Sequence, residues 1–97
     1  MPVSILSRWT AKQEDILRIG RRVKSIHEKH GAEMRVGQIY TGPYAGQFVA
    51  AVRYPNWETY GKAMQAMSTD AEYQSLKAEA QQVGELHGRS IIVSLDL

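Results

Sequence analysis

Strand, helix, strand, tight turn, strand, helical stretch, strand: the periodicities of this chain run in that order within 97 residues. The order constrains the fold more than any single motif. A sheet built from it carries its helices on one face and leaves the other face uncovered. The length fits one domain spanning residues 1–97, with a core modest enough for a partner chain to add useful stability.

The pattern is built from particular residues. Val3, Ile5, Ser7 and Trp9 alternate with Ser4, Leu6 and Arg8, which predicts a first strand. Thr10 followed by Gln13 has the form of a capping box. Ile16, Ile19, Val23 and Ile26 then recur at helical spacing, and Gly31 supplies the helix stop. Met34, Val36 and Tyr40 predict a second strand, and Thr41-Gly42-Pro43-Tyr44-Ala45-Gly46 a turn. The run Phe48-Val49-Ala50-Ala51-Val52, within a third strand from Gln47 to Tyr54, is apolar on both faces and predicts burial on both.

Asn56 can cap a second helix carrying Trp57, Tyr60, Met64 and Met67. Ser68-Thr69-Asp70 interrupts it, and Thr69 with Glu72 predicts a second capping box. Tyr73, Leu76 and Val83 continue as helix. Gly84 and Gly88 predict a turn before a last strand, Arg89 to Leu97. The expected fold class is therefore α+β: a ferredoxin-like βαββαβ sandwich with a four-stranded antiparallel sheet and helices on one face.

Composition excludes several kinds of chemistry. The chain has no cysteine, hence no disulfide, thiolate nucleophile or cysteine-held metal. The net charge is +2, with both signs interspersed, so the basic residues of the first helix (Arg18, Arg21, Arg22, Lys24, Lys29) predict a solvated face and no nucleic-acid partner. Val3 to Leu6 is too short for a secretion signal and no run is long enough to span a membrane, so a cytoplasmic protein is expected.

No catalytic signature is present. His27-Glu28-Lys29-His30 places its histidines three apart, where the zinc-protease helix needs four, and no metal is expected. The glycines around Pro43 precede a strand, whereas a phosphate cradle needs a helix N-terminus after them. No serine has the setting of a nucleophile elbow. The aromatic residues are more suggestive. Trp9, Tyr40, Tyr44, Tyr54, Trp57 and Tyr60 fall at strand ends, in the hairpin or at the start of the second helix, where several can converge. Aromatic walls with a few polar tips describe a small-molecule pocket, and equally describe core packing. Tyr54, Trp57, Tyr60, His27 and the two helical glycines, Gly20 and Gly61, are the candidate ligand-binding residues. The catalytic group stays unassigned.

Over its whole length the chain resembles the dimeric α+β barrel superfamily, which includes antibiotic-biosynthesis monooxygenases, haem-degrading monooxygenases and NIPSNAP-like proteins. The resemblance rests on Phe48 to Tyr60, on Ser68-Thr69-Asp70-Ala71-Glu72-Tyr73 and on Gly88-Arg89-Ser90-Ile91. It implies a homodimer joined through the sheet face, with a ligand cavity between sheet and helices. The haem-degrading members use an Asn on the first strand, with a Trp and a His on later elements. The first strand here has no Asn and the stretch Asn56 to Val83 no His, so no cofactor is expected. The reading that follows is a small homodimeric barrel protein binding a small apolar or aromatic molecule. The alternatives are a cofactor-independent monooxygenase or isomerase acting on a small aromatic or polyketide-like compound, and a non-catalytic structural or regulatory dimer module.

Overall fold

Residues 1–96 are described by a computed structural model. Strand β1 (Val3–Ala11) lies inside the sheet and pairs antiparallel with β3 (Phe48–Tyr54) on one side and with β4 (Gly84–Val93) on the other. The remaining strand, β2 (Glu33–Gln38), pairs antiparallel with β3, so the sheet order is β2-β3-β1-β4. Helix α1 (Gln13–Lys29) links β1 to β2, and α2 (Trp57–Ser68) with α3 (Ala71–Val83) links β3 to β4. This is the βαββαβ sandwich, its second helical stretch broken into two helices. Among the described residues no helix is long and apolar enough to cross a membrane.

Pairing in register sorts the side chains by face. Val3, Ile5 and Ser7 stand opposite Val93, Ile91 and Arg89 on one side and Tyr54, Val52 and Ala50 on the other, and their face meets the helices. Ile5, Val52, Tyr54 and Met34 join Ile19 and Ile26 of α1, Ala63 and Met67 of α2 and Leu76 of α3 in one core. Each fully buried aliphatic side chain of this kind contributes about 1.5–3 kcal/mol. The opposite face carries Leu6, Val49, Ala51 and Ile92 with Arg8, Arg35 and Arg53 around them. No helix covers it, and Val49 and Ala51 are only half-buried.

The helix ends show which local signals prevailed. At the end of α1 the Gly31 N–H bonds the Glu28 carbonyl and the Ala32 N–H the His27 carbonyl, a Schellman motif that requires the positive φ of Gly31, 93°. Asn56 caps α2 by accepting from the Thr59 N–H at 2.8 Å.

Three predicted boundaries are corrected. The N-cap of α1 is Lys12 rather than Thr10, because β1 continues through Thr10 and Ala11 to pair with Glu85 and Gly84. The N-cap of α3 is Asp70, whose carboxylate accepts from the Tyr73 N–H, while Thr69 ends α2. The last strand begins at Gly84, within the predicted turn, and it carries one extra residue, His87, opposite the Arg8–Trp9 step. The predicted end of that strand, Leu97, lies outside the described residues.

Candidate functional site

The inward stripe of α1 does not lie flat on the sheet along its whole length. Near the Val3–Tyr54 end of the sheet the layers are in contact, and Val3, Tyr54 and Met67 are fully buried. Toward the Trp9–Phe48 end they part around a cavity of about 660 Å³. Ile16, Ile19, Gly20, Val23 and His27 form its α1 wall. Its floor includes Trp9, Phe48 and Ala50, and α2 and α3 add Tyr60, Met64 and Tyr73. Val36, Val83 and Leu86 line the cavity yet remain exposed, which puts its mouth at that end.

The walls are mainly apolar but carry polar side chains, Asp15, Gln74, Lys77, Gln81 and Arg89 among them. At the closed end His27 is 5% exposed, and its Nδ1 lies 2.8 Å from the hydroxyl of Tyr54. Tyr54 is fully buried and has no other hydrogen-bond partner among the described residues. A buried hydroxyl proton without an acceptor would cost about 1–3 kcal/mol, so Tyr54 donates and Nδ1 accepts. Burial, with a smaller contribution from His30, lowers the His27 pKa to about 4, and burial pushes that of Tyr54 up to about 12. Both groups are neutral at pH 7. Tyr73 meets the His27 ring edge to face at 5.7 Å between ring centres. Its pKa is raised by burial, against which Arg89 acts in the opposite direction.

The six candidate residues divide by position. Gly20, His27 and Tyr60 line the cavity. Tyr54 stands behind His27, and its ring meets that of Tyr60 edge to face at 5.8 Å. Trp57 packs edge to face on Tyr60 but is 51% exposed and outside the cavity wall. Gly61 is also outside it and exposed, with open space where a Cβ would stand. Of the other aromatics, Tyr40 projects into solvent and Tyr44 stacks under the Arg8 guanidinium at 3.9 Å, on the open face of the sheet.

Most of the lining residues are not among the sequence candidates, Tyr73 and Arg89 included. A signal for Arg89 does exist: it alternates in phase with Ile91 and Val93, so a cation occupies an inward position of the last strand. No three acidic or histidine side chains gather in metal-binding geometry among the described residues.

Neither a protein-family model nor a curated protein matches the sequence. Solved structures do match. SnoaB, described as a cofactor-independent oxygenase from Streptomyces nogalater, aligns in a variant form with a TM-score of 0.75 at 8% identity, covering 99% of this chain and 95% of that one. A NIPSNAP family protein from Agrobacterium tumefaciens aligns with a TM-score of 0.70 at 10% identity, covering 99% and 95%. Rv0793 from Mycobacterium tuberculosis aligns with a TM-score of 0.63 at 12% identity, covering 100% and 98%. The chain shares the α+β fold of these proteins over essentially its full length. At such identities the likeness establishes the fold alone.

Proposed function

We propose that the chain binds a small, largely apolar molecule in the cavity beneath α1, and that it does so as a homodimer whose open sheet faces cover each other. The cavity carries the first part. About 660 Å³ walled mainly by aliphatic and aromatic side chains, with His27, Tyr60, Tyr73, Lys77 and Arg89 among its polar points, has the size and character of a small-molecule site. The second part rests on Leu6, Val49, Ala51 and Ile92, an apolar strip that no helix covers.

N-Phenyl-1-naphthylamine, an uncharged dye that brightens in apolar surroundings, tests the cavity. Gly20 borders the space, and a Cβ built there meets only Val36, at 3.8 Å. Gly20→Leu therefore intrudes into the cavity without breaking the helix. The wild-type chain should bind the dye, and Gly20→Leu should keep its helical circular dichroism while binding at least about tenfold more weakly. Failure of the wild-type chain to bind, or equal binding by the variant, would remove the proposal and leave a structural or regulatory module as the better account.

A second reading follows from the fold shared with SnoaB: a cofactor-independent oxygenase acting on a small aromatic compound. It requires more than binding, because a bound substrate must be turned into a carbanion or phenolate that reacts with oxygen. Oxygen uptake with phenolic quinone precursors, absent in Gly20→Leu, would favour it. Binding of such compounds without uptake would exclude it for them.

A further inference from the structure

The closed end of the cavity holds one polar atom whose role neither the core nor the open face explains. His27 Nδ1 is occupied by the Tyr54 hydroxyl, whereas Nε2 has no hydrogen-bond partner among the described residues. Every sealed side-chain nitrogen and oxygen among those residues does have a partner. Nε2 is therefore not sealed. The residue is 5% exposed and forms part of the cavity wall, so solvent reaches this atom through the cavity. Since Nδ1 accepts from Tyr54, the single proton of the neutral imidazole sits on Nε2.

We infer that His27 is a specificity-determining residue whose Nε2–H donates a hydrogen bond to a carbonyl oxygen on an otherwise apolar ligand seated in the cavity. The inference rests on the cavity being a ligand site. Tyr54 is a positioning residue in this arrangement: it touches no ligand and acts by holding the imidazole in one tautomer. The buried ring stays uncharged, so the donor selects a neutral acceptor oxygen rather than pairing with an anion. A hydrocarbon of the same shape would leave the N–H unpaired in an apolar enclosure, which penalises it relative to the ketone.

Prodan, a naphthalene ketone whose carbonyl stretch falls in frequency on hydrogen bonding, tests this against the dye used above, which has no carbonyl. Bound to the wild-type chain, Prodan should show a lowered carbonyl stretch. His27→Phe should bind Prodan about fivefold more weakly, the size of one neutral hydrogen bond, with the stretch restored and with N-phenyl-1-naphthylamine bound no more weakly than by the wild-type chain. Equal affinity and equal stretch in both proteins would overturn the role of His27 and leave the cavity reading standing. Failure of both dyes to bind the wild-type chain would remove the cavity reading itself, and the inference with it. Nitrogen-15 spectra of the histidines need no variant at the ligand contact. They should show His27 protonated at Nε2 at pH 7 in the wild-type chain and a mixture of tautomers in Tyr54→Phe. Protonation at Nδ1 in the wild-type chain would overturn the inference even if His27→Phe failed to fold.

Discussion

His27 shows how one buried group couples the site to stability. Its pKa is about 4 in the folded chain against 6.5 for an ordinary histidine. Between those values the unfolded chain binds a proton that the folded chain does not. Stability therefore falls as pH drops through 6.5 toward 4 and is unaffected by this group above 6.5. Each pH unit in that window is worth about 1.4 kcal/mol, so roughly 2 kcal/mol should be lost between pH 6.5 and 5. His27→Asn keeps an acceptor for Tyr54 and removes the titration. Urea unfolding at the two pH values should show a loss larger in the wild-type chain than in this variant by about that amount. Equal losses would mean that the imidazole is not held neutral by burial. His27 is visible in the sequence as a helical residue, but its partner lies 27 positions away and no periodicity links the two.

Among the elements, the junctions carry the sharpest expectations. Asn56→Ala removes the acceptor for the Thr59 N–H and should cost about 1 kcal/mol, read as a shift in the urea midpoint with unchanged slope. Gly84 is more demanding. A Cβ there would stand 3.0 Å from both the Ala11 Cβ and the Thr10 carbonyl oxygen, because α3 passes directly into β4 against the end of β1. Gly84→Ala should destabilise by about 1–3 kcal/mol, and hydrogen exchange should show the Thr10–Glu85 end of the pairing opening first. Midpoints at the wild-type value would show that the two strand ends separate without cost. The junctions also show where local signals suffice and where they are overridden. Asn56 has no competitor, and its cap forms as the sequence predicts. Thr10 has a capping pattern too, but pairing of β1 with β4 draws Thr10 and Ala11 into the sheet and passes the cap to Lys12.

For the whole molecule, the open sheet face decides the assembly. Val49 stands on it, opposite Arg8 on β1 and Gly37 on β2. In a dimer packed sheet to sheet, Val49→Asp buries a carboxylate in the interface, and light scattering at micromolar concentration should find the wild-type mass halved. A wild-type chain that already runs as a monomer would end the proposal of a sheet-to-sheet dimer. What the sequence by itself determined is the order of the elements, the alternation that separates the two sheet faces, and the stops at Gly31 and Asn56. Each depends on neighbours a few residues apart, and such neighbours interact in any compact state. Only the tertiary structure decided where the helices leave the sheet, that Tyr60 and Gly20 border the resulting space while Trp57 and Gly61 do not, and that Tyr54 reaches His27. A cavity is a mismatch between two packed layers. Its shape follows from how residues on several elements crowd or fail to crowd one another, and no stretch of chain read alone contains that information.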